Sequence, residues 1–200
     1  MKEQQLIIIT KKEILSFNPC NEAREYVEKK LGKDKEKVSI EFLHRIIKHK
    51  PNWVAWLMSY KAEWTKDLIE LGADVHADND YALRSASGNG RTEVVKLLLD
   101  AGANVHANNN YTLQWASYKG HTEVVKLLLD AGADVHASNN YTLQWASRNG
   151  HTEVVKLLLD AGADVHANNN YALCWASRNG HTETVKVLEK HIEKLKKQKS

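Results

Sequence analysis

Tyr111 to Asn140 read YTLQWASYKGHTEVVKLLLDAGADVHASNN, and Tyr141 to Asn170 read YTLQWASRNGHTEVVKLLLDAGADVHANNN. The block before them, Tyr81 to Asn110, reads YALRSASGNGRTEVVKLLLDAGANVHANNN. The period is 30 residues, without insertion. Self-similarity at a fixed period of this size marks one supersecondary unit stacked on copies of itself. A single unit cannot bury both faces of its helices, so an array needs several copies.

Each unit holds two helical patterns. In the second, Thr122 is placed to cap and Glu123 suits the positive start of a helix. Val124, Val125, Leu128 and Ala131 then recur on one face, and Gly132 is placed to end the helix with left-handed backbone. The first pattern is shorter. On a wheel of 100° per residue, Leu113 and Ala116 share a side with Ser117, while Gln114, Trp115 and Tyr118 point the other way. Gly120 breaks this helix before the next begins. Between units, Ala133 to Asn140 is rich in Asp and Asn, residues that favour turns.

The run Gly150 to Ala167, GHTEVVKLLLDAGADVHA, closely resembles the second helix and loop of an ankyrin repeat. The first helix departs from that family: Tyr141 to Gln144 read YTLQ where ankyrin repeats open with Thr-Pro-Leu-His. The period is also shorter than the family's usual length of about 33, which predicts short hairpin loops. Such short repeats are similar to those of large DNA viruses, phages and some bacteria. The resemblance covers roughly 51–200 and implies an all-α ankyrin-repeat solenoid of stacked helix-turn-helix units. Full repeats are expected at 81–110, 111–140 and 141–170. Degraded capping repeats are expected at 51–80, opened by Pro51, and at 171–200. In the first of these Trp64, Leu68 and Leu71 stand for Val124, Leu128 and Ala131; in the last, Thr184 and Glu189 replace apolar residues before a lysine-rich helix. Residues 1–50 read as a small, mostly helical N-terminal cap: a short strand over Leu6 to Thr10, a helix over about 21–31 after Asn18, and one over about 40–49 capped by Ser39.

Charge is uneven. Residues 1–60 carry a net +4, 61–180 a net −4 and 181–200 a net +3. An acidic middle with basic ends disfavours nucleic acid as the main partner, although a run of lysines from Lys186 to Lys199 keeps open an association through the termini. No stretch approaches the roughly 20 apolar residues of a membrane helix, and Leu6 to Ile9 is too short for the core of a signal peptide. Cys20 and Cys174 form no CxxC pair and suit a reducing cytoplasm. The expected state is a monomer or weak homo-oligomer; a self-associating scaffold is the alternative.

No catalytic constellation emerges, because acidic and nucleophilic residues recur once per unit instead of converging, and no cofactor motif is present. His76, His106, His136 and His166 suggest a metal ladder. Yet neighbouring helices lie about 8–10 Å apart, whereas zinc ligands lie about 2 Å from one ion, so these histidines are read as turn residues bonding the next loop. His121, His151 and His181 receive loop hydrogen bonds by the same resemblance. Trp115, Trp145 and Trp175 form a second ladder, interrupted by Ser85, that suits both packing between first helices and an aromatic binding strip. In ankyrin proteins the first-helix face and loop tips form the concave partner surface. Carried onto this chain, that surface comprises Arg84, Gln114, Trp115, Tyr118, Gln144, Trp145, Arg148, Trp175 and Arg178, with Asp78, Asp80, Asn108 and Asn110 in the loops. These positions vary between units while the second helices barely do. The expected function is therefore binding of another protein, with an inhibitor or adaptor acting on a host or defence protein as its sharper form.

Overall fold

The computed structural model describes Lys12 and residues 40–198. The strand expected at Leu6 to Thr10, the helix at 21–31 and the Ser39 cap lie outside the described residues. Among the described residues the fold is all-α. Helices α1 (Ile40–His49) and α2 (Pro51–Met58) are followed by α3 (Ala62–Glu70). Four pairs then repeat: α4 (Ala77–Gly88) with α5 (Thr92–Asp100), α6 (Ala107–Lys119) with α7 (Thr122–Asp130), α8 (Ala137–Arg148) with α9 (Thr152–Asp160), and α10 (Ala167–Arg178) with α11 (Thr182–Gln198). In α1, Phe42, Leu43 and Ile46 are buried against the stack. Pro51 opens α2 at its first turn, where its missing N–H costs nothing.

The core repeats with the sequence. Leu83, Leu113 and Leu143 with Ala86, Ala116 and Ala146 are buried on the first helices. Val95, Val125 and Val155 with Leu98, Leu128 and Leu158 are buried on the second. Full burial of one such side chain is worth about 1.5–3 kcal/mol. Ala131, expected on the same face, is exposed, because it is already the C-terminal boundary of α7. The expected Thr122 cap also differs. His121 is the N-terminal boundary residue of α7 and no side chain caps it. Thr122 lies one position inside, its hydroxyl 3.5 Å from the Gly120 carbonyl. The first helices stack on one another in one row and the second helices in another; the first-helix row, the side that the resemblance makes concave, is called the inner side.

The short loop has a particular construction. Asp78, Asn79 and Asp80 all have φ between 52° and 55°, and Asn108, Asn109 and Asn110 between 54° and 57°. Each triplet is a left-handed turn that leads straight into the right-handed helix beginning at Tyr81 or Tyr111, in place of the short hairpin loop expected there. Left-handed backbone costs an ordinary residue roughly 1–2 kcal/mol, and Asn and Asp tolerate it best because their short polar side chains bond locally. The third residue of the triplet secures the turn. Asn110 Oδ1 accepts from the backbone N–H of Asp134 in the next repeat (2.9 Å) and from His106 Nδ1 (3.2 Å). Asp80 does the same for Asn104 (2.7 Å), and Asn140 for Asp164 (3.0 Å). His76, His106 and His136 thus bond their own repeat's Asx residue, four positions on, and that residue bonds the next loop; His166 bonds Asn170 in the same way (2.7 Å) at the end of the series.

Candidate functional site

The inner face is built from the outward sides of α6, α8 and α10. Tyr111 and Trp115 are four residues apart in α6, a spacing that makes them neighbours on a helix, and their ring centroids are 5.6 Å apart. Trp115 meets Tyr118 edge-on at 5.4 Å, and Tyr118 meets Trp145 of the next repeat at 5.5 Å. Arg148 continues the chain: its guanidinium carbon is 5.4 Å from the Trp145 ring and 4.6 Å from the Trp175 ring. Arg178 lies 5.5 Å from Trp175. The three tryptophans are therefore linked through the residues at 118 and 148, with no ring-on-ring contact between them. Tyr111, Gln114, Trp115, Tyr118 and Trp145 line a groove of about 430 Å³. Toward the first repeat the strip fades where Ser85 and Gly88 stand; the Ser85 hydroxyl instead donates to Ser59.

The sequence-predicted residues divide into three groups. Trp145, Arg148, Arg178, Asp78 and Asn108 are exposed, and Trp115, Trp175 and Tyr118 are half-buried on the same face. Arg84 and Gln114 are half-buried and tied to loops. Arg84 donates to the carbonyls of Asp78 and Asn79, and Gln114 donates to Asn109 O (3.0 Å) and Ser138 Oγ (3.1 Å). Asp80, Asn110 and Gln144 are buried, which corrects the expectation that they present themselves to a partner. For Asp80 and Asn110 the cause is the following loop, whose backbone N–H folds onto the carboxylate or amide. In register, Asn168 stands for Gln144 where Ser138 stands for Gln114.

Tyr111, Tyr141, Tyr171 and Lys119 also belong to this face and stand outside the sequence expectation. The tyrosines are 37%, 47% and 49% exposed, and with Trp145 they are the exposed large hydrophobic residues among those described. Their signal was available as the i, i+4 spacing to each tryptophan. Lys119 Nζ lies 5.7 Å from the Trp115 ring and 5.5 Å from that of Tyr118.

The second histidine series is structural in a different way. His121 Nε2 donates to Gly88 O (3.2 Å), His151 Nε2 to Tyr118 O and His181 Nε2 to Arg148 O (both 2.9 Å). Each ring thus fastens a second helix to the carbonyl end of the preceding repeat's first helix. Arg91, in place of a histidine, donates to Tyr60 O and lies over the Tyr60 ring. Among the described residues no group of three or more His, Cys, Asp or Glu side chains could hold a metal ion, and no helix is long and apolar enough to cross a membrane.

The family model described as ankyrin repeats (3 copies) matches residues 43–139 and 136–198. The chain belongs to the ankyrin-repeat family, whose members are generally protein–protein interaction modules. A search of curated proteins finds no match.

Proposed function

We propose that this chain binds one protein partner through the inner face of its solenoid, with Trp115, Trp145 and Trp175 as anchors. The observation that carries this reading is the placement of apolar exposure. All four exposed large hydrophobics among the described residues lie on the first helices, where Trp and Tyr rings adjoin a groove. A contiguous apolar patch on an otherwise polar surface marks an interaction site, and rings with few rotors give much contact area for little lost entropy. In this reading residues 1–50 and 171–200 close the two ends of the stack, and the cytoplasm is its setting. The sharper role, an inhibitor or adaptor acting on a host or defence protein, draws only on the likeness to viral and phage repeats.

The test is affinity purification with the wild type and with the Trp115→Ala/Trp145→Ala double variant, checked for native helicity. Loss of a partner that the wild type retains supports the proposal. A folded double variant that keeps every partner refutes it.

A further inference from the structure

We infer that the occupant of the inner face is an extended acidic peptide segment, carrying carboxylates at every third position and one apolar side chain. The inference rests on the proposed use of that face and goes beyond it by fixing the partner's chemistry. Helices α6, α8 and α10 contain no Asp or Glu; their charged residues are Lys119, Arg148 and Arg178. The negative charge of the middle of the chain lies elsewhere. The outer helices α5, α7 and α9 each carry one Glu, one Asp and one Lys. The loop carboxylates Asp134 and Asp164 accept from the backbone N–H groups of His136 and His166. Among the described residues no carboxylate pairs with Lys119, Arg148 or Arg178. All three instead lie over aromatic rings, which holds the long side chains in place and lowers the entropy an incoming anion must overcome. A net-acidic array thus presents a cationic, aromatic inner strip.

Spacing then limits the ligand. Arg148 and Arg178 flank one ring, Trp175, at 4.6 and 5.5 Å from its centroid, which keeps them within about 10 Å of each other, about the 8–10 Å between neighbouring helices; Lys119 stands one repeat earlier and one position off their register. A polyproline II segment has three residues per turn and rises about 3.1 Å per residue, so it repeats one face every 9 Å or so. A β-strand, alternating sides at every residue, would turn every second such carboxylate away. The groove beside Lys119 takes the apolar side chain. Three cations spread over three repeats are too sparse for a phosphodiester line, whose charges recur at about 3.4 Å per strand in duplex form.

The experiment is fluorescence anisotropy on the full chain. The probes are a fluorescein-labelled proline-rich peptide with one leucine and glutamate at each third position, and the same residues in reversed order. A version with lysine for glutamate and an oligothymidine of matched length serve as controls. One glutamate peptide is expected to bind, more weakly as salt rises. Arg148→Glu is expected to lower its affinity about threefold or more, while Lys126→Glu on the outer helix leaves it unchanged. Failure of both glutamate peptides to bind overturns the inference. So does equal binding of the lysine peptide, tighter binding of oligothymidine, or indifference to Arg148→Glu. If Trp145→Ala abolishes binding and Arg148→Glu does not, the inner-face reading stands and the charge inference falls. If neither variant matters, both fall.

Discussion

Gly120→Ala tests how one repeat is fastened to the next. Gly120 closes α6 at φ 76°, and a Cβ placed on it would lie 2.6 Å from His151 Nδ1. Gly132 closes α7 at a similar φ of 87°, but a Cβ there meets nothing within 4 Å. Both substitutions incur the left-handed penalty of roughly 1–2 kcal/mol. Only Gly120→Ala must also displace the His151 ring and break its 2.9 Å bond to the Tyr118 carbonyl, which adds about 1–2 kcal/mol for a part-buried hydrogen bond with its acceptor left unmet. The expected loss is therefore about 2–4 kcal/mol for Gly120→Ala and 1–2 kcal/mol for Gly132→Ala. Urea unfolding followed by circular dichroism reads both at a common slope. In the His151→Ala background the clash is absent, so the penalty at Gly120 should shrink to that at Gly132. Equal costs for the two glycine variants in the wild-type chain, or an unchanged penalty at Gly120 in the His151→Ala background, would mean that His151 is not what Gly120 accommodates.

Three further outcomes follow from the same structure. Asn110→Ala removes a buried acceptor that joins two loops and forces alanine into left-handed backbone; it should cost about 2–4 kcal/mol. Asn108→Ala, exposed with the same φ, should cost only the backbone share, as thermal melts of the two variants will reveal. Ser117 has a fully buried hydroxyl with no hydrogen-bond partner. Ser117→Ala should therefore hold or raise the melting temperature, by roughly 2–4 °C per kcal/mol regained; a lower value would mean the hydroxyl is satisfied. Asp67 stands where the full repeats have leucine, and burial first, then Glu70 and Glu63, raise its pKa above the ordinary 3.8. A raised folded-state pKa means that the folded chain holds the proton more tightly. This contribution therefore favours folding below pH 3.8 and is lost as pH rises through the folded pKa. Asp67→Asn should be the more stable protein near neutral pH, with the advantage disappearing toward acid. A constant difference across that range of melts would contradict the assignment.

The repeat, its helix pair and the buried stripe of each helix are written in the chain alone, because these depend on contacts three or four residues apart that every copy restates. Leu113, Ala116, Val125 and Leu128 are legible in this way, as are Gly120 and Gly132 at the helix ends. The candidate site was legible in outline through its tryptophans and arginines. What escaped was everything decided between copies. Asp80 and Asn110 look like exposed turn residues until the next loop, 24 positions on, settles over them. His151 has a structural role by resemblance, but its acceptor, the Tyr118 carbonyl 33 positions back, is fixed only by stacking. Gln114 and Gln144 sit in identical local sequence, yet one is half-buried and the other buried. The arginines of the inner face are legible, but its separation from the carboxylates is not. A net total mixes inner and outer helices, and only stacking separates Lys119, Arg148 and Arg178 from the carboxylates of the outer row. Local periodicity belongs to one unit; the partners of a loop or a face belong to two units together, and their contact exists only once the array has closed.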